Sequence, residues 1–379
     1  MPRSDSKRLI LSKDIIHYGL LTAFSRGLQF LMLPLLTRLF SPADYGLVDL
    51  MATVTGFATI LMSLSLESAV ARMWHEPQSL DQRKRLLTSV IVFVFICGTG
   101  IFLMFWAASG MLSRLITGSH GSEAIISIAV GTALLLAILS IPQMALRMER
   151  RILRFGFLQI ANSVLGIIFP LVLIIRFGMG LTGLFLGTLA AASLTLLLSL
   201  YWTRHYLARP VFRQDLTECL KFSLPLVPAV IISWGNRQVD RIILLSFLGL
   251  GAVGTYGAAA KIAMIIGSLV VVFRMAWLPL AMKNIASSSR NAYFRRTLTG
   301  YLAAMICLGL GLSTYSRELL VFLTTKEYSA GYIVIPWLIG AQIFYGSGNI
   351  TNIGMLISKK TAGNSIAALF GAVVNVTLS

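Results

Sequence analysis

Acid, cysteine and long polar stretches are all scarce in this chain, and each shortage removes a class of function. Asp and Glu together number 14 in 379 residues, and neither a paired-carboxylate nor a Ser-His-Asp arrangement finds support among them. Of the three cysteines, Cys97 and Cys307 fall in apolar stretches and Cys219 in a polar one. They leave no disulfide pair and read as small buried apolar residues. The histidines His17, His75, His120 and His205 sit on tails and loops with no second ligand at helical spacing, so no metal site is expected. There is no GxxxxGK phosphate loop, and no cofactor is called for. The longest connection, 203–221, could hold an interfacial amphipathic helix but no catalytic domain, so the chain is not expected to be an enzyme. The residues ahead of the first apolar stretch lack a short apolar core with a small-residue cleavage site, so no signal peptide is expected to be removed.

What the chain has in abundance is apolar sequence: 56% of its residues are hydrophobic and 12% charged. That composition excludes a soluble globule of this length and predicts an all-α polytopic membrane protein. Spans are expected near 15–36, 47–66, 86–109, 124–146, 157–176, 181–202, 222–245, 257–281, 298–316, 332–357 and 361–379. The basic residues alternate from loop to loop. The amino-terminal tail (Arg3, Lys7, Arg8, Lys13) and the connections holding Arg72 to Arg85, Arg147 to Arg154, Arg204 to Lys221 and Lys283 to Arg296 carry four cations each, and Lys359 with Lys360 marks the last. The intervening connections hold only Arg38, Arg114, Arg176, Arg317 and Lys326. Loops rich in Lys and Arg stay on the cytoplasmic side, so the amino terminus is expected inside. The net charge of +18 is therefore topology rather than a nucleic-acid footprint. Its secondary role is adhesion of the run Arg147 to Arg154, and of Arg295 with Arg296, to anionic lipid.

Three constellations carry the functional reading. Gly249, Gly251 and Gly254 match a dinucleotide fingerprint by letter, but they fall in an outer hairpin between two membrane helices, without the strand and acid the fold requires. Charges inside spans are a stronger signal, because each costs at least a few kcal/mol unless paired or hydrated. Arg26, Arg237, Arg241, Lys261 and Arg274 qualify, against Asp49 and Asp240, with Glu67 at the inner end of its helix. Asp240 is spaced to bridge Arg237, with Arg241 on the same face. That group reads either as an ion-paired lock or as part of a substrate site. Arg26 and Arg274 have no acid at i±3 or i±4 and point to a hydrated, anion-facing cavity, since the guanidinium fork grips phosphate and keeps its charge. Lys261 can snorkel to the headgroups. Gln342, Tyr345, Asn349 and Asn352 recur on one helical face, suited to sugar hydroxyls or to interhelical hydrogen bonds.

The chain also repeats itself. Leu39-Phe40 and Tyr45-Gly46 recur 211 residues later as Leu250-Gly251 and Tyr256-Gly257, implying two six-helix bundles in parallel duplication, 1–205 and 206–379. A full second bundle would end near 410, so the second is expected to be incomplete.

The segment from Leu33-Pro34-Leu35-Leu36-Thr37-Arg38 through Ser41-Pro42-Ala43-Asp44-Tyr45-Gly46 resembles the first hairpin of bacterial polysaccharide and O-antigen flippases. These belong to the multidrug/oligosaccharidyl-lipid/polysaccharide exporter superfamily. Val239-Asp240-Arg241-Ile242-Ile243-Leu244 with Tyr256-Gly257 and Lys261-Ile262, and then Gly354 to Thr361, resemble later spans of that family. The resemblance implies a central cavity opening alternately to each side and an undecaprenyl-diphosphate-linked oligosaccharide as cargo. Other polysaccharide assembly proteins are implied as partners, besides membrane lipids and to the exclusion of nucleic acid. It implies cavity arginines on the first, second and eighth spans. Arg26 and Arg274 fit by span, while the second span offers Asp49 and Glu67 instead. Two alternatives remain at this level. One is a cation-coupled drug exporter of the same superfamily, for which Asp49 would be the coupling acid; the other is a membrane glycosyltransferase or polymerase, which needs a larger outer loop than any present.

Topology is directly testable: single cysteines at Gln82 or Gln214 should resist an impermeant thiol reagent added to intact cells, and labelling there would reverse the expected orientation.

Overall fold

A backbone surrounded by lipid can hydrogen-bond only to itself, which leaves helices and closed barrels as the spanning structures. The computed structural model describes residues 27–28, 30–74, 79–117, 121–209, 215–284 and 289–357, and all its regular elements there are helices. The long ones are α2 (Pro42–Ser63), α4 (Leu80–Ala107), α6 (Glu123–Met148), α7 (Ile152–Ile175), α8 (Gly180–Thr203), α10 (Val227–Asn284), α11 (Arg290–Thr314) and α13 (Ile335–Ile357). Short ones lie between them: α1 (Phe30–Leu39), α3 (Leu66–Met73), α5 (Ser109–Thr117), α9 (Asp215–Ser223) and α12 (Ser316–Leu323). Among the described residues, eight helical segments are long and apolar enough to span a membrane. The expected eleventh span, Arg26, His17, His75 and His120 lie outside the described residues.

Helix starts follow local chemistry. At α2, Pro42 occupies the first helical position and the Asp44 carboxylate accepts from the Ser41 hydroxyl at 2.7 Å and from its amide at 3.2 Å, while the Ser41 oxygen accepts from the Asp44 amide. At α4 a reciprocal pair, Ser79 with Gln82, does the same. Threonines and serines inside the helices mostly return their hydroxyl protons to carbonyls one turn back, as Thr55 does to Met51, so few side-chain donors need an external partner.

The expected spans 222–245 and 257–281 are joined in α10, which is interrupted at Gly249 (φ 78°, ψ −175°), a conformation open to glycine. The Tyr256 hydroxyl donates to Asp240 at 2.6 Å. Sixteen residues of unbroken helix would hold those two about 24 Å apart, so the chain reverses at Gly249 and α10 is a helical hairpin. The fingerprint glycines are thus the tip of a hairpin.

Contacts divide the described chain into two compact units. The first, Val48–Gln238, is centred on α6, whose Ala129, Ala133 and Ala137 recur one turn apart and are almost fully buried. Small residues there let neighbouring helices approach closely, which in lipid replaces the hydrophobic drive to associate. α7 and α8 form a hairpin through Gly178 (φ 63°) and Gly180 (φ 52°), with Gly187 lying directly on Pro170. The second unit holds Phe30–Leu47 and 239–357. In it Gly46 lies on the Leu250 carbonyl and Gly254 on the Pro42 carbonyl, backbone to backbone. Beside them Tyr328, fully buried, donates its hydroxyl to the Phe40 carbonyl at 2.9 Å.

The duplication recurs in an element too short to notice in the sequence. α5 and α12 begin 207 residues apart, both follow a span at the end away from the basic loops, and they share Ser109 with Ser316, Leu112 with Leu319 and Thr117 with Thr324. Thr117 and Thr324 even make the same hydroxyl bond to the carbonyl one turn back. Of the cysteines, Cys219 is buried but Cys307 is exposed, contrary to the expectation of burial, because a span's lipid face has no need to hide an apolar side chain.

A Cβ at Gly46 or Gly254 would strike main chain, whereas one at Gly251 meets nothing within 4 Å. Gly46→Ala and Gly254→Ala should each destabilise by about 1–3 kcal/mol, lowering membrane abundance and detergent melting temperature, with Gly251→Ala as the unaffected control.

Candidate functional site

The bend that ends α2 also creates a cavity. Leu64 (φ 48°) and Ser65 (φ 57°) are both left-handed, a conformation costing of order 1 kcal/mol for non-glycine residues, and they turn the chain from α2 into α3. The bend sets Ser65, Glu67 and Ser68 opposite Leu226, Ala229, Val230, Ser233 and Arg237, which lie at helical spacing on the turn before α10 and on its first limb. These eight residues enclose about 360 Å³ within the first unit.

The lining is polar on one side and aliphatic on the other. Arg237, exposed, donates to the Ser233 hydroxyl at 2.9 Å. Glu67 is half-buried, and its Oε2 is buried without a hydrogen-bond partner among the described residues. Glu67 lies past the end of the α2 span; desolvation pushes its carboxyl above the usual carboxylate range, partly opposed by a hydrogen bond from its own backbone. Next to the cavity residues, Trp234 packs on Phe57 with ring centroids 4.9 Å apart, and Gly56 leaves room for the indole.

Among the residues singled out from the sequence, Arg237 and Glu67 line this cavity. Thr53, one turn on from Asp49, donates to the Asp49 carbonyl and to Gln238, and Asp49 itself is half-buried. In the second unit Asp240 accepts from Tyr256, and the Arg241 guanidinium sits 5.6 Å from the centre of the Tyr256 ring, so one tyrosine serves an acid through its hydroxyl and a base through its face. Lys261 is half-buried about one turn beyond Tyr256. Arg274 is exposed between Phe273 and Trp277, aromatic residues that pack with Tyr293, Phe294 and Tyr301. The polar stripe of α13 divides: Gln342 is packed over Gly267, Tyr345 is exposed, and the Asn349 amide reaches back to the Tyr345 carbonyl at 3.5 Å. The Asn352 side chain and Arg26 lie outside what is described. No group of three metal-ligating side chains occurs among the described residues.

Ser65, Ser68 and Ser233 are the site residues that sequence reasoning passed over, and Glu67 entered it as an acid at a helix end without a site role. The available signal was an acid bracketed by serines directly after an apolar span.

Residues 11–285 match the polysaccharide biosynthesis protein family. The succinoglycan biosynthesis transport protein ExoT of Rhizobium meliloti (strain 1021) is 24% identical over 252 residues, 65% of this chain and 48% of that protein, so the chain spans about half the length of that relative. Among solved structures, the inward-facing conformation of a multidrug resistance MATE family transporter of the MOP superfamily superposes with a TM-score of 0.68 at 15% identity, over 92% of this chain and 84% of that one. A MOP superfamily transporter from Pyrococcus furiosus, noted for the reverse polarity of its binding pocket, gives 0.61 at 14% identity over 97% and 95%. The Vibrio cholerae MATE transporter VcmN gives 0.61 at 17% over 97% and 86%. At these identities the likeness is one of fold.

The raised Glu67 pKa has a signed consequence for stability. Folding favours the protonated carboxyl, so its contribution is fully present below the ordinary value of 4.5 and is lost as pH rises through the raised folded value. Glu67→Gln should therefore melt above the wild-type protein at pH 8, with the gap closing as pH falls to 4.5; a gap independent of pH would exclude a desolvated carboxylate.

Proposed function

We propose, from the premise that this chain belongs to the polysaccharide biosynthesis protein family, that it moves a lipid-diphosphate-linked oligosaccharide of the undecaprenyl type from the cytoplasmic to the outer leaflet. Alternating access in a bacterial inner membrane, with the basic loops inside, is the mechanism this reading takes. The observation that carries it is the cavity lined by Arg237, three serines and an aliphatic wall, in a bundle with no loop large enough for chemistry. Arginine suits a diphosphate, hydroxyls suit sugars, and the polyprenyl tail can remain in lipid. Other polysaccharide assembly proteins would deliver the cargo and take it up.

A cation-coupled exporter of the same superfamily is the second reading. It is favoured by one observation, the desolvated Glu67 carboxyl, which can bind a proton where the sequence had offered Asp49 for that role. Drug sensitivity beside glycan export in a deletion strain separates the two.

Arg26, Arg237 and Arg274 are assigned to the diphosphate, with Arg241, Lys261, Gln342, Tyr345 and Asn349 as further substrate contacts. Alanine at Arg237 or Arg274 should weaken cargo binding by about 1.5–3 kcal/mol and reduce export while membrane abundance stays normal, and lysine should restore part of it. Normal export in both alanine variants would eliminate the cationic cavity, whereas degraded protein rescued by charge-swapped partners would make these arginines structural.

A further inference from the structure

We propose that the cavity between α3 and the first limb of α10 is the subsite for the lipid-proximal sugar of the cargo. In it the Glu67 carboxylate accepts hydrogen bonds from neighbouring sugar hydroxyls, and Arg237 attends the diphosphate to which that sugar is joined. The inference rests on the flippase reading and adds to it a position, an orientation and a residue that confers sugar selectivity.

Size is the first argument. At about 360 Å³ the cavity stands near the bottom of the ~300–1,000 Å³ range of small-molecule sites, enough for a small part of an oligosaccharide rather than the whole. Lining chemistry is the second. Glu67 offers acceptors only, Arg237 donors only, and Ser65, Ser68 and Ser233 hydroxyls that do either, while Leu226, Ala229 and Val230 present an aliphatic surface. A sugar ring presents the complementary pair, an edge of hydroxyls and a face of C–H groups. A bare phosphate would meet the Glu67 charge, an apolar cation would meet that of Arg237, and a metal ion would find one carboxylate.

The third argument is the orphaned oxygen. Glu67 Oε2 is buried with no donor among the described residues, a costly arrangement that a rotation of the side chain into the cavity, toward a ligand hydroxyl, would relieve. The left-handed Leu64 and Ser65 make the bend that brings Glu67 to this place, at a conformational cost. Because Arg237 lines the same cavity, the sugar that reaches Glu67 is the one beside the phosphates.

Binding separates this subsite from the flippase reading itself. The full chain in lipid nanodiscs is titrated with a polyprenyl diphosphate carrying one hexose and with the same polyprenyl diphosphate without sugar, Trp234 fluorescence reporting. The wild-type protein should bind the sugar-bearing lipid about tenfold or more tightly than the bare one. Glu67→Ala should erase that preference, with the bare lipid bound at least as tightly because the repelling carboxylate is gone; Glu67→Gln, which keeps the shape, should reduce it. Arg237→Ala should weaken both lipids equally. Equal binding of the two lipids by the wild-type protein, both weakened by Arg237→Ala, would overturn the sugar subsite and leave the flippase reading standing. Binding of neither would count against the flippase reading. A Glu67→Gln protein that keeps the full sugar preference but loses export would make Glu67 a titrating group instead, and would also overturn the subsite.

Discussion

Hydrocarbon supplies no hydrogen bonds, and almost everything in this chain answers to that constraint. The backbone closes on itself in helices, hydroxyls such as that of Thr55 return to carbonyls of their own helix, and cations collect in the connections. Asp240, a polar group within a span, is served by Tyr256 from the other limb of α10. The departures are therefore conspicuous. Two left-handed residues at the end of α2, a glycine break in α10 and a carboxylate oxygen without a donor among the described residues are three of the places where the chain departs from the easiest membrane solution. Two of the three meet at the same cavity.

The architecture was readable because its signals are periodic and local. Twenty-residue apolar runs and alternating basic loops predict helices and their ends, and the family resemblance of the first hairpin agrees with the match over residues 11–285. The cavity was not readable, because Glu67 and Arg237 are 170 residues apart and meet only through the bend at Leu64 and Ser65. Neither residue has the composition that marks a left-handed turn. The same limit hid the partner of Asp240: helical spacing offered its own neighbours, while the hairpin at Gly249 delivers a tyrosine from sixteen positions on. Cys307 shows the converse error, since a rule learned from water-facing surfaces assigns burial to a residue whose surroundings are lipid.

Fold alone does not select the cargo. The superposed structures include multidrug transporters and one whose pocket polarity is reversed, at 14 to 17% identity. One helical scaffold thus accommodates pockets of different polarity, and selectivity rests with the few polar side chains that line them. In this chain the polar residues around the cavity come partly from the bend after α2, where backbone geometry can vary without breaking a span, and partly from the first turns of α10.

The reversal at Gly249 also bears on how the protein is made. A single helix carrying Asp240 beside Arg241 enters lipid at a penalty of about 2.5–3.5 kcal/mol for each charge near its centre. Tyr256, which covers both, is synthesised only after the chain has turned. The two limbs of α10 are thus suited to leave the translocon as one preassembled hairpin, the second screening the charges of the first before either meets the acyl chains. On this view the tyrosine at the start of the second limb acts as an internal chaperone for the acid and base of the first.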